Sequence, residues 1–138
     1  MKRPQVVYCD TSILIAWLTD EKRADPTEMD AVYECMREVD RGKIILCISD
    51  YLCNAEILAP ITGRVGMDRL NILFRSRKLQ GLDTDSRAQS LAGEIREFYA
   101  ARKLVDGLST LSLPDATHLA TAIRWRVPIF YTFDDGKR

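Results

Sequence analysis

Four carboxylates of this sequence, Asp10, Glu56, Asp115 and Asp134, follow or interrupt apolar segments. Asp10 ends the run Val6-Val7-Tyr8-Cys9, and Asp134 follows the last apolar run, 127–132. Glu56 lies on an apolar arc between Leu52 and Pro60, close to Ala59, and a carboxylate in that position needs a partner. Asp115 heads the stripe Asp115, Leu119, Ala122 and Ile123, so it leans inward at the start of its helix. Brought together, four such acids would repel one another and raise their own pKa values unless a divalent cation neutralised them. Hard Mg²⁺ or Mn²⁺ prefers oxygen ligands of this kind. Two ions, or one ion with a general-base carboxylate, would generate hydroxide for in-line attack on a phosphodiester and stabilise the leaving oxygen.

Taken one at a time, the acids also have ordinary structural roles. Ser112-x-x-Asp115 is a capping box, and an acid in a first helical turn is favoured by the helix dipole. Asp10 could serve only as an N-cap, and Asp134 with Asp135 could be loop acids. Thr11 and Ser12 have the same capping alternative, and His118 reads as a satisfied or exposed helix residue. Glu56 is the hardest to reconcile with a purely structural role.

The elements that must position these groups follow from hydrophobic patterning. Val6 to Cys9 is β-prone, and after the polar Asp10-Thr11-Ser12 the apolar Ile13 to Leu18 segment predicts a helix. Asp25-Pro26-Thr27 opens a second helix, with Thr27 and Asp30 as its capping box and Gly42 ending it. The run 44–48 is apolar without alternation, as expected of a strand covered on both faces, and Ser49-Asp50 starts a helix expected to continue through Ile61. A basic amphipathic helix built on Leu70, Leu73 and Phe74 follows, with a short strand over 79–82. Another helix begins at Ser86, Gly107 interrupts it, and a further helix runs from Ser112 to about Trp125 before the last strand. Alternation of strands and helices predicts a three-layer α/β/α fold around a mainly parallel sheet, in a single domain over 1–138.

Twenty basic and twenty acidic residues give a formal net charge of +0, so any anionic partner must be met by a local patch. Arg64, Arg69, Arg75, Arg77 and Lys78 are the candidate phosphate-binding residues; a solvated helix face is the alternative. The four cysteines contain no Cys-x-x-Cys pair, and with a single histidine there is no zinc spacing. Cysteines in apolar runs suit a reducing compartment, and the N-terminus lacks the apolar core of a signal peptide, so a cytoplasmic location without membrane insertion is expected.

The segments VVYCDTSILI, ISDYLCNAEIL, LPDATHLATAI and IFYTFDD, in this order, resemble the PIN-domain family over essentially the whole chain. Within that family the resemblance is to VapC-type toxins, Mg²⁺- or Mn²⁺-dependent endoribonucleases of toxin–antitoxin pairs. It implies that Asp10, Glu56, Asp115 and Asp134 form an acidic quartet, supported by hydroxyls of Thr11 or Ser12 and Thr132. The family's chain usually continues well past the fourth acid. This one runs four residues beyond Asp134, so Asp135 is an alternative to it. The implied partners are an RNA substrate, a small antitoxin and a second copy of the chain. Trp17, Leu18, Tyr33 and Met36 are an apolar surplus that suggests the dimer, with core packing the commoner explanation for such residues. The competing functions are a PIN nuclease of RNA processing or DNA repair, and a non-catalytic interaction module.

Overall fold

The structure, a computed structural model, describes residues 3–106 and 111–133. Asp134, Asp135 and Gly107 lie outside these residues. Four strands, β1 (Gln5–Cys9), β2 (Ile44–Ser49), β3 (Leu79–Leu82) and β4 (Ile129–Tyr131), form one sheet in the order β3-β2-β1-β4. Every pairing is parallel, with Val7 in register with both Leu46 and Ile129. Six helices complete the described chain: α1 (Thr11–Thr19), α2 (Pro26–Asp40), α3 (Asp50–Glu56), α4 (Ala59–Arg75), α5 (Ser86–Asp106) and α6 (Leu113–Arg124).

Strand alternation separates two cores. Val7, Cys9, Leu46 and Ile48 pack with Leu14, Leu18, Val32, Met36 and Leu70 of α1, α2 and α4 on one face. Tyr8 and Cys47 face the other way, onto Ala122 of α6, which in turn packs on α5 through Ala92, Ala116 and Ala120. Helices therefore cover both faces, and the layers are those expected of near-continuous apolar strands.

Two local expectations are corrected, and a third reading is narrowed. Asp25, not Thr27, caps α2: its carboxylate accepts the Thr27 backbone N–H at 2.9 Å, because Pro26 fills the first helical position, where no donor is needed. The helix starting at Asp50 does not reach Ile61. It ends at Glu56, and Ile57 and Leu58 adopt extended backbone angles before α4 begins. Pro60 is the cause, since inside a continuous helix it would remove a hydrogen bond to the Glu56 carbonyl and clash with it; in the first turn of α4 it is tolerated. Glu56 is thereby a helix terminus and shares no helical arc with Pro60. Finally, Leu18 and Met36 belong to this chain's own core, and Trp17 and Tyr33 pack partly buried against it. Core packing, the other reading of these residues, accounts for Leu18 and Met36, while Trp17 and Tyr33 stay partly exposed.

Gly63 breaks α4 near its start with φ 71° and ψ 177°, and Gly66 permits the close crossing with α1. A Cβ on Gly66 would lie 3.1 Å from the Leu18 carbonyl oxygen.

Candidate active site

Parallel strands leave their carboxyl ends on one edge, and the strand order reverses direction between β1 and β4, where doubly wound sheets keep their ligand crevice. Asp10 follows β1 at that point. Its backbone N–H donates to the Tyr131 carbonyl of β4 at 3.2 Å, which ties it to the neighbouring strand. The side chain is 6% exposed and caps α1. Oδ1 accepts from Ser12 Oγ at 2.5 Å and the Ile13 N–H at 3.3 Å, while Oδ2 accepts from Thr132 Oγ1 at 2.5 Å. All three donors are neutral. No lysine or arginine pairs with Asp10 among the described residues. A buried carboxylate without a cationic partner is costly, and a bound cation is the usual compensation.

Glu56, at the end of α3, reaches the same region from the β2 side. Its Oε1 accepts from Thr11 Oγ1 at 2.9 Å and lies 3.1 Å from His118 Nε2. Asp115 stands in the first turn of α6, half-buried, with its backbone N–H donating to Ser112 Oγ at 3.2 Å. His118, one turn further along α6, is 2% exposed. Burial pushes its pKa down, against the negative charges of Glu56, Asp10 and Asp115, which all favour its protonated form. The histidine touches Glu56 directly and lies within the electrostatic reach of Asp10 and Asp115. Of the two expected states, satisfied or exposed, it is the satisfied one, hydrogen-bonded at both ring nitrogens. Its position three residues after Asp115, on the inward side of an apolar helix, was the signal available.

Among the described residues no three His, Cys, Asp or Glu side chains form a ready ligand cage. The donor chemistry, all oxygen, fits Mg²⁺ or Mn²⁺.

Beside Glu56 an open groove of about 680 Å³ is lined by Tyr51 and Ala55 of α3, Leu113 and Pro114 of α6, and Asp83 and Gln89. Tyr51 and Leu113 are largely exposed. The basic residues are distributed differently. Lys78 immediately precedes β3 and binds Asp40, just ahead of β2, so it, Arg77 and Arg75 stand at the amino end of the sheet, opposite Asp10. Arg69 is held by Asp20 and the Trp17 carbonyl at the far end of α1. Arg64 is exposed in the turn after Gly63. The structure does not gather these five around the acids.

The PIN domain profile matches residues 7–136. The chain belongs to the PIN-domain family. Members of this family are generally nucleases. A chain from the crystal structure of VapBC2 of Rickettsia felis, bound to a DNA fragment from their promoter, superimposes with a TM-score of 0.56 at 15% identity, covering 94% of this chain and 100% of that chain. The PIN fold is therefore shared at low sequence identity. No curated protein matches the chain.

Proposed function

We propose that this PIN domain is a divalent-metal-dependent endoribonuclease, the toxin of a toxin–antitoxin pair. The observation that carries the reading is Asp10, a buried carboxylate at the strand-order reversal held by three neutral donors, whose neighbour Thr11 hydrogen-bonds Glu56 and His118. Asp10 and Asp115 are the residues to hold Mg²⁺ or Mn²⁺, with Asp134 or Asp135 as the fourth acid. The ion would activate water and neutralise charge on the leaving oxygen. Glu56 orients the attacking water and takes its proton. Thr132 and Ser12 orient the Asp10 carboxylate, and Thr11 does the same for Glu56.

The groove beside Glu56 suits a single strand of RNA, whose unstacked bases can lie against the exposed Tyr51 and Leu113. Arg64, exposed near the start of α4, is the basic residue assigned to meet the flanking backbone. A small antitoxin and a second copy of the chain are the proposed protein partners, and four buried free thiols suit the cytoplasm.

The deciding experiment is cleavage of structured and single-stranded RNAs with Mg²⁺, Mn²⁺ or chelator, using wild type and Asp10→Asn. Cleavage that needs the ion and is lost in Asp10→Asn is expected. Cleavage indifferent to chelator would refute the reading. Co-expression with the product of an adjacent small gene, followed by size-exclusion chromatography, tests the partners; inhibition that weakens as Mg²⁺ rises is expected of a cationic segment competing for the same acids.

A further inference from the structure

His118 belongs to a hydrogen-bond chain that starts from the backbone of β2 and runs through β1, α6, α1 and α3. The Ser49 N–H donates to Tyr8 Oη at 3.0 Å, and Tyr8 Oη lies 2.6 Å from His118 Nδ1. On the other side of the ring, Nε2 lies 3.0 Å from Thr11 Oγ1 and 3.1 Å from Glu56 Oε1. Thr11 donates its hydroxyl proton to the same Oε1 at 2.9 Å. Tyr8 is 0% exposed and stacks on Phe130 at a centroid distance of 5.3 Å, so its hydroxyl cannot turn to water.

The donor and acceptor inventory permits one assignment that satisfies every group. A backbone N–H only donates, so Ser49 occupies a lone pair of Tyr8. The phenol keeps its proton at neutral pH, and the acceptor within reach is His118 Nδ1. A neutral imidazole that accepts at Nδ1 carries its hydrogen on Nε2, where Glu56 Oε1 receives it. The opposite tautomer would set the Nε2 lone pair against a carboxylate oxygen at 3.1 Å. The one Thr11 proton cannot serve both, and the Tyr8 proton would have no acceptor.

We infer that His118 is a positioning residue: locked as the Nε2–H tautomer by Ser49 through Tyr8, it clamps Glu56 Oε1 and leaves Oε2 as the oxygen that meets the attacking water. This rests on the role proposed for Glu56. Oε2 has no hydrogen-bond partner among the described residues, which is the arrangement a base needs. The clamp also explains why a helix terminus can hold a carboxylate in one orientation: two donors from α1 and α6 fix it, not α3 itself. Buried orienting partners of this kind commonly change activity by about 10- to 100-fold when removed.

The test uses the fact that His118 is the single histidine. In untagged protein, long-range ¹H–¹⁵N spectra should show one pyrrole-type nitrogen, Nε2, and one pyridine-type nitrogen, Nδ1. In Tyr8→Phe the lock is gone and a mixture of tautomers is expected. Cleavage by Tyr8→Phe and His118→Leu should fall about 10- to 100-fold in kcat with KM for RNA little changed, whereas His118→Gln, whose amide can donate to Oε1, should recover part of the loss. Thermal unfolding of each variant separates these effects from loss of fold. A proton on Nδ1 in the wild type, or Tyr8→Phe and His118→Gln both cleaving at the wild-type rate, overturns the inference. Absence of cleavage by the wild type, with the tautomer as stated, would strike the endoribonuclease reading instead.

Discussion

Asp10 illustrates how a single residue can serve structure and chemistry at opposed costs. As an N-cap it accepts the Ile13 N–H, and replacing such a cap by alanine costs about 1 kcal/mol, whereas asparagine caps as well as aspartate. As a buried anion with neutral partners it is a liability in the metal-free protein. Asp10→Asn keeps the cap and removes the charge. It is expected to unfold at the same or a higher temperature than wild type while losing cleavage, and Asp10→Ala should unfold several degrees below Asp10→Asn. Calorimetry without metal checks both. A lower midpoint for Asp10→Asn would mean that Asp10 is not the strained anion described above.

At the scale of elements, short breaks decide which side chains meet. The extended Ile57 and Leu58 let α3 stop at Glu56, and Gly63 then redirects α4 onto α1. Its φ of 71° with ψ of 177° lies in a region open essentially to glycine alone. A Cβ there would meet nothing within 4 Å, so strain is the whole effect of a substitution. Gly63→Ala should lower stability by about 1–3 kcal/mol, seen as a lower urea midpoint with an unchanged slope. The start of α5 has a titratable device. Asp85 accepts the Ala88 N–H at 2.9 Å and pairs with Arg124 at 3.0 Å; the backbone hydrogen bond, with the guanidinium adding to it, lowers its pKa from the usual 3.8. A depressed folded-state carboxyl stabilises above its unfolded pKa and stops doing so as pH falls through the folded one. Asp85→Asn should therefore flatten the loss of stability below about pH 4, measured by denaturant unfolding across pH.

At the scale of the whole molecule, the sheet and both helical layers bury all four thiols, and none is in a disulfide. Burial raises Cys35 to about 11 and Cys53 to about 12 from the ordinary 9.0, and pushes Cys9 up as well. The raised groups keep their protons in the folded state. Their contribution is fully present below pH 9.0 and is lost as pH rises toward the folded values, because only the unfolded chain then ionises. Native protein at pH 8 is expected to react with a thiol reagent far more slowly than urea-unfolded protein, with four equivalents released on unfolding. Rapid native labelling at any position would contradict the burial described.

The patterns that repeat along a few residues were legible in the sequence. Uniformly apolar runs announced parallel strands covered on both faces, and the ends of those runs marked Asp10 and the capping Ser49 and Ser112, because a strand or helix boundary is written in its neighbours. The resemblance of four segments to PIN domains added the expectation that Asp10, Glu56, Asp115 and Asp134 belong to one site. Where Pro60 stops a helix was open to the same local logic, and the expected continuation to Ile61 underrated it. What only the tertiary structure decided are the encounters between distant segments. His118 meets Tyr8 across 110 positions and Glu56 across 62, and no periodicity encodes a contact between residues on different elements. The basic helix read as one phosphate-binding face in sequence, but strand direction carries Arg77 and Lys78 to the end of the sheet opposite Asp10. Local spacing sets the face on which a residue stands. Packing of layers sets what stands opposite it, and the chemistry of this site depends on the second.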